Sequence, residues 1–275
     1  MTLAAAVEVL SGRRVDAARA LSGGSVGAVY RLDMEDGGRL VAKLGPGLEP
    51  EGFMLRWLAD RTGLPLPRLL YADNGLILMD FVKTGGPLAQ ADAADHLARL
   101  HALSADRFGF ESSTAIGGLD QPNPWTARWV EFFRDHRLLF KADQAVAAGR
   151  LPASVRHRID KLAARLEGWF DAAPKPSLIH GDCWAGNVLS CDGRVAAFID
   201  PAIHYADAEI ELAFGTLFST FDDRFFARYA EHRPLRPGFW EVRRDVLNLY
   251  PLLVHVRLFG GSYVSQVESV LRRFG

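Results

Sequence analysis

The stretch SLIHGDCWAGNVLSCDGRVAAFIDPA, Ser177 to Ala202, decides the fold. Asp192-Gly193 stands between two apolar runs, Val188-Leu189-Ser190 and Val195 to Ile199. Asp-Gly in that setting is the strongest short-range signal of a β-hairpin. A hairpin returns the chain to its start. Asp200 is therefore expected beside Asn187, with Asp182 on the loop that feeds the first strand. Three oxygen-bearing side chains at one point suit Mg2+, a hard cation that takes one or two protein ligands and fills the rest with phosphates and water.

Upstream, LSGGSVGAVY followed by RLDM reads as a glycine-rich hairpin around Gly23, Gly24, Ser25 and Gly27. A phosphate-binding loop of the strand-to-helix kind would need a helix directly after the glycines. Here Val26, Val29, Tyr30 and Leu32 continue as strand, and taken alone the glycines read first as a plain tight turn. Arg39–Leu44 is a third strand with Lys43 near its end. Pro50 suits a first helical turn, and Met54, Leu55 and Leu58 follow at helical spacing. Glu51 is expected to pair with Lys43; Glu49 is the competing partner. Strands at 68–72 and 76–82 complete five antiparallel strands with one inserted helix. Lys83-Thr84-Gly85-Gly86-Pro87 is the expected hinge.

From Ala89 the apolar period changes from 2 to 3.6. Ala93, Leu97, Leu100 and Leu103 mark one helix; Trp125, Trp129, Phe132, Phe133 and Phe140 mark a second after the loop GFESSTAIGGLDQPNP. A third is expected from 152 to 170. Helices at about 207–219, 222–231, 238–258 and 262–273 follow Ala202, with Pro251 expected to kink the longest. The expected fold class is α+β in two lobes: a small antiparallel-sheet lobe with one inserted helix at 1–82, a hinge at about 80–87 and a larger, mainly helical lobe at 88–275.

Composition narrows the partners. A net charge of −1 over 275 residues leaves no basic footprint for nucleic acid or for a polybasic membrane patch. The N-terminal segment carries Glu8 inside its apolar run and reads as a short helix rather than a signal peptide. The apolar segment 246–259 is too short and too polar to span a bilayer. Two cysteines, Cys183 and Cys191, form no disulfide framework and fit a reducing cytoplasm.

A glycine hairpin, a strand lysine, a helix glutamate, His-x-Asp-x-x-x-x-Asn and a later aspartate form the parts list of a kinase-like phosphotransferase; the expected fold is then protein-kinase-like, with a nucleotide-binding lobe at 1–82 and a catalytic and substrate-binding lobe at 88–275. Glycine amides approach phosphate oxygens because no Cβ intervenes. Lys43 meets the non-transferred phosphates, Glu51 fixes its rotamer, Asn187 and Asp200 hold Mg2+, and Asp182 faces the attacking hydroxyl. His180 braces the loop; general base is its alternative role. Gly181 follows His180, and Pro201-Ala202 follows Asp200. Both depart from protein kinases, towards kinases of small molecules.

HGDxxxxN with a later Asp resembles the aminoglycoside phosphotransferase and choline kinase superfamily. The stretches 107–138, HGDCWAGN (180–187), DPAIHYADAEIELAF (200–214) and LYPLLVHVRLFGGSY (249–263) resemble one branch of it, the fructosamine kinase (ketosamine-3-kinase) family. The resemblance implies ATP-dependent phosphorylation of a ketoamine sugar at its 3-hydroxyl, the amine being free or on a protein lysine. The product is unstable and falls off, so the activity repairs glycation. It also implies adenine contacts at Asp80-Phe81-Val82, proton acceptance by Asp182 and a sugar-amine contact at Trp184, whose indole can stack on a sugar or meet a cation; packing under the loop is the other reading of Trp184. Cys183 stands where the family usually has Leu, and Glu211 where it has an Asp that braces the loop. His204 and Asp207 take no role here; His204 is expected at the surface or in loop packing. The alternatives are a phosphotransferase for an aminoglycoside, choline or another sugar, and an inactive kinase fold that only binds. The sequence is silent on oligomeric state.

Overall fold

The computed structural model describes residues 2–21, 27–170 and 174–274. Gly23, Gly24 and Ser25 lie outside the described residues. The chain divides into two compact units, 1–89 with 186–201, and 90–185 with 202–275.

The first unit opens with α1 (Leu3–Ser11), whose N-terminus is capped by Thr2: the hydroxyl accepts from the Ala5 amide at 3.3 Å. Then come β1 (Val15–Leu21), β2 (Ala28–Met34), β3 (Arg39–Leu44), α2 (Glu49–Arg61), β4 (Leu69–Ala72) and β5 (Leu76–Asp80). The strands form one antiparallel sheet of five, as the sequence reading expects, and their order is β1-β2-β3-β5-β4. Alternation on β5 feeds two cores. Leu76 and Leu78 pack with Val7, Leu32, Met34, Leu40 and Ala42; Ile77 and Met79 pack with Leu48 on the other face. Lys43 pairs in register with Val29 on one side and Ile77 on the other. That places it in the middle of the sheet, where a cation needs a partner. Pro50 lies in the first turn of α2. At Gly52 a Cβ would sit 2.5 Å from that of Ala72, so this glycine lets α2 lie close on β4.

The second unit begins with α3 (Gln90–Ala102), followed by the hairpin β6 (Thr114–Ile116) and β7 (Leu119–Gln121). The sequence reading takes this region as loop. Gly117-Gly118, at φ 54° and 75°, makes it a two-residue turn between strands. The aromatic helix starts at Trp129, not Trp125. It runs as α4 (Trp129–Phe133), a π-turn at Arg134–Leu139, and α5 (Phe140–Ala147). The helix α6 (Ala153–Ala163) is shorter than expected; a 3-10 turn at Leu166–Gly168 ends it. After β8 (Ser177–Ile179), the hairpin β9 (Val188–Cys191) and β10 (Arg194–Phe198) belongs to the first unit. Asp192 and Gly193 turn it at φ 51° and 76°.

The chain re-enters the second unit through β11 (His204–Ala206), which pairs with β8. It ends with α7 (Glu209–Leu217), α8 (Asp223–His232), α9 (Arg244–Phe259) and α10 (Ser262–Phe274). Within this unit α3 packs on α8 and β8, and α9 packs on α5, α7 and α10. Pro251 lies inside α9 without ending it. Among the described residues no helix is long and apolar enough to cross a membrane.

Candidate active site

In the first unit, β3 delivers Lys43 to a buried position where its Nζ donates to Glu51 Oε2 at 2.5 Å and Asp200 Oδ1 at 3.2 Å. Glu51, not Glu49, is therefore the partner on α2. Burial works against the Lys43 charge, but Asp200 and Glu51 outweigh it and its pKa lies above the ordinary value. Burial, then the Asp200 charge, push Glu51 up to about 7. One cation is thus shared by two carboxylates. The hairpin brings Asp200 to Asn187 as the turn signal predicts: the Ile199 amide donates to the Asn187 carbonyl at 3.0 Å. Asp200 itself sits at φ 53°, a conformation that Asp tolerates better than most residues. Its side chain stays 35% exposed and open to a ligand. Two oxygen donors, Asn187 and Asp200, suit a hard cation such as Mg2+. At the end of β5, Asp80 forms a two-point ion pair with Arg68, and the Phe81 amide meets the Arg39 carbonyl at 3.4 Å.

In the second unit, residues 180–185 form a loop held from below by Glu211. Its Oε1 accepts from the Gly181 amide at 2.6 Å; its Oε2 accepts from the His180 amide at 3.1 Å and lies 2.8 Å from His101 Nε2. Burial pushes the Glu211 carboxyl up, but the His101 contact, nearby histidine charge and the loop amide hold it below its usual pKa. The longer side chain thus reaches the loop amides. Tyr229 OH, 2.7 Å from His101 Nδ1, fixes the histidine in turn. His180 is fully buried; its Nδ1 accepts from the Asp182 amide at 3.4 Å and its carbonyl from the Ala202 amide at 2.7 Å. Asp182 is half-buried, and Trp184 is 44% exposed. Cys183 is fully buried, its sulfur within 4.8 Å of a Glu211 carboxylate oxygen.

A polar network behind this loop escapes the sequence reading. Arg137, fully buried on the π-turn, donates to Asn123 Oδ1 at 2.5 Å, to the Pro122 carbonyl and to His204 Nε2 at 3.3 Å. His204 therefore carries its proton on Nδ1 and donates to the Ala202 carbonyl at 3.1 Å. It is a core residue, not a surface one; burial, then Arg137, keep it neutral. Gln121 Nε2 donates to the same carbonyl at 3.0 Å and is held by the Tyr250 hydroxyl. Asp207 also has a structural position, paired with Arg236.

One turn beyond Arg137, Lys141 is buried as well. Its Nζ donates to the Asp120 carbonyl at 2.5 Å and to Gln144 Oε1 at 3.0 Å. Burial, then Arg137, lower its pKa to about 7. The unfolded chain then holds a proton that the native state lacks from about pH 7 up to the ordinary lysine value, so this group makes stability rise with pH across that window. Lys141→Met should remove the rise. At neutral pH the variant should be about 1–2 kcal/mol more stable, after the cost of leaving the Asp120 carbonyl without its donor. Urea midpoints at about pH 7 and about pH 10 check this: the gap between variant and wild type should narrow at the higher pH.

The family model described as fructosamine kinase matches residues 10–274. The chain belongs to the fructosamine kinase family. A probable ketoamine kinase of Synechocystis sp. is 30% identical over 275 residues, covering 94% of this chain and 90% of that protein. A chloroplastic protein-ribulosamine 3-kinase of Oryza sativa subsp. indica is 31% identical over 273 residues, covering 94% and 78%. The crystal structure of a fructosamine-3-kinase candidate from Thermobifida fusca YX-ER1 is 32% identical, covers 98% and 99%, and superposes with a TM-score of 0.86. The wider fold is that of the aminoglycoside phosphotransferases: a thermostable mutant of APH(4)-Ia, solved with ADP and hygromycin B, is 15% identical, covers 99% and 98%, and has a TM-score of 0.69. The chain is accordingly an α+β kinase-like phosphotransferase with an alcohol group as acceptor. In this fructosamine kinase family member, Glu211 does bridge the two loop amides with its longer side chain.

Proposed function

We propose that this protein transfers the γ-phosphoryl group of ATP to the 3-hydroxyl of a ketoamine sugar, on a free amine or a protein lysine, and so acts in deglycation in the cytoplasm. The observation that carries the nucleotide half of this reading is Lys43 held between Glu51 and Asp200. A lysine so fixed is oriented to meet non-transferred phosphates. Gly23, Gly24 and Ser25 would add backbone contacts to those phosphates, and Asp80-Phe81-Val82 would face adenine. Asn187 and Asp200 would hold Mg2+, which when bound supplies positive charge against the phosphate oxygens.

On the acceptor side, Asp182 takes the proton of the attacking hydroxyl as the O–P bond forms. Glu211 holds the His180 and Gly181 amides and His180 Nδ1 holds the amide of Asp182 itself, which fixes the main chain leading into Asp182 and limits the orientations its carboxylate can adopt. Trp184 offers an exposed indole face to the sugar or its amine. The protonated amine distinguishes a ketoamine from a plain sugar, and an indole face attracts such a cation. The relatives named above as ketoamine and ribulosamine kinases support this acceptor class.

An acceptor panel in a coupled ADP-release assay tests the reading. Fructosyl-lysine and ribulosyl-lysine, free and on a glycated protein, should give kcat/KM at least about tenfold above choline, an aminoglycoside or a plain sugar, a discrimination worth about 1.4 kcal/mol. Response to an aminoglycoside or choline alone would move the acceptor elsewhere in the superfamily. Nucleotide binding without turnover of any acceptor would make the chain a binding module.

A further inference from the structure

The donor atoms packed under the loop have a composition that phosphoryl transfer does not use. A histidine ring nitrogen, a cysteine sulfur and a carboxylate oxygen, from His180, Cys183 and Glu211, all lie within 4.8 Å of one another. All three side chains are buried. Nitrogen, thiolate and carboxylate together are a zinc-type donor set, with three protein ligands and a fourth position left for water. Mg2+ would not choose it, because a hard cation prefers oxygen. We propose that His180, Cys183 and Glu211 form a site for a soft or borderline divalent cation, Zn2+ or Cd2+, and that filling it arrests the loop that carries Asp182.

The surroundings suit such a site. Glu211 is oriented by His101 at 2.8 Å, and His101 by Tyr229 at 2.7 Å, an outer pair of the kind that steadies metal-binding carboxylates. The Cys183 thiol is hydrogen-bonded to Glu211. An entering cation takes the place of that shared proton. The S–H bond breaks, its electron pair becomes the sulfur–metal bond, and the proton leaves to solvent. A divalent cation between one thiolate and one carboxylate sums to zero charge, which limits the cost of burying it. The carboxylate need not release the loop amides entirely, because its two oxygens offer about four acceptor positions.

The consequence for the loop is geometric. His180 and Cys183 bracket Gly181 and Asp182 in sequence, so one ion ties down both flanks of Asp182. Donor atoms up to 4.8 Å apart must draw together to reach metal–ligand bonds of about 2.0–2.3 Å, and Asp182 shifts with them. Because Cys183 is fully buried, the ion enters only when the segment opens, and occupancy develops more slowly than mixing.

The test is a Cd2+ titration of the full-length protein in excess Mg2+, following the cadmium–thiolate charge-transfer absorption. One equivalent should develop the band, slowly, in wild type and in Cys191→Ser, which leaves the buried trio untouched. Cys183→Ala should lack it. Oxygen ligands at Asn187 and Asp200 give no such band, so occupancy there does not mimic the result. The inhibition arm rests on the proposed phosphotransfer: transfer should fall in step with the band in wild type, whereas Cys183→Ala, compared with its own metal-free rate, should lose the inhibition. A band that disappears in Cys191→Ser, or survives in Cys183→Ala, overturns the site. A band with full transfer retained overturns the arrest while leaving the site. Because the band is read without any acceptor, failure of the metal site and failure of the ketoamine assignment are separate results.

Discussion

Asp182→Asn should lower turnover of a ketoamine acceptor by about 10³-fold, the scale of a lost general base, while nucleotide affinity stays at its wild-type value. The substitution keeps size and shape and removes the carboxylate charge together with the capacity to take a proton. The main-chain contacts at this position, the Asp182 amide to His180 Nδ1 and the Asp182 carbonyl from the Trp184 amide, survive it, so the loop keeps its course. Lys43, Asn187 and Asp200 are unaltered. Single-turnover phosphoryl transfer, set beside ATP binding by calorimetry, separates the two effects. Wild-type transfer in this variant would remove Asp182 from the mechanism, and a parallel loss of ATP binding would mean that the side chain serves the nucleotide.

Gly181→Ala should destabilise the fold by about 3 kcal/mol and reduce turnover with it, since two separate penalties fall on one methyl group. Gly181 has φ +87°, where an L side chain is strained. The added Cβ would also sit 2.2 Å from the Ala202 carbonyl oxygen and 2.8 Å from its carbon. Backbone cannot swing aside as a flexible side chain would. That oxygen already accepts from Gln121 and His204, so moving it breaks bonds to the Arg137 network. Gly193 supplies the comparison: it too has positive φ, at +76°, but nothing lies within 4 Å of its added Cβ. Gly193→Ala should therefore carry only the conformational cost, about 1 kcal/mol. Urea midpoints of both variants, at unchanged m, check the difference; equal losses would mean that the clash at Gly181 is relieved without cost.

Much of this architecture was readable from local signals. The hairpin carrying Asn187 and Asp200 follows from Asp-Gly between apolar runs, and the five-stranded sheet from alternation at period 2. Lys43 with a helix glutamate was readable as well, though choosing Glu51 over Glu49 needed the phase of α2 against β3. What sequence reading missed has a common cause. Periodicity assigns long charged side chains to solvent, yet Arg137 and Lys141 are buried and satisfied by main-chain carbonyls and amide oxygens from Pro122, Asp120, Asn123 and Gln144. Such partners leave no charge pattern to detect. Of the two places expected for His204, packing holds and the surface does not, because its partners Arg137 and Phe132 lie in a distant segment. The strands β6, β7, β8 and β11 have three residues each, too few for alternation to show, and only Gly117-Gly118 marked the first pair.

The hairpin from Gly186 to Pro201 is packed with residues 1–89 although the sequence places it inside the other unit. Neither unit is therefore a contiguous cassette. During synthesis the first unit stays unfinished until residue 201 has emerged, by which time residues 90–185 are already available to fold. Until then Lys43 has Glu51 but not Asp200 as a partner. The same interleaving governs inheritance: a single crossover near residue 89 would join one parent's Lys43 and Glu51 to the other parent's Asn187 and Asp200, so the set proposed to meet the nucleotide passes intact only when both segments travel together.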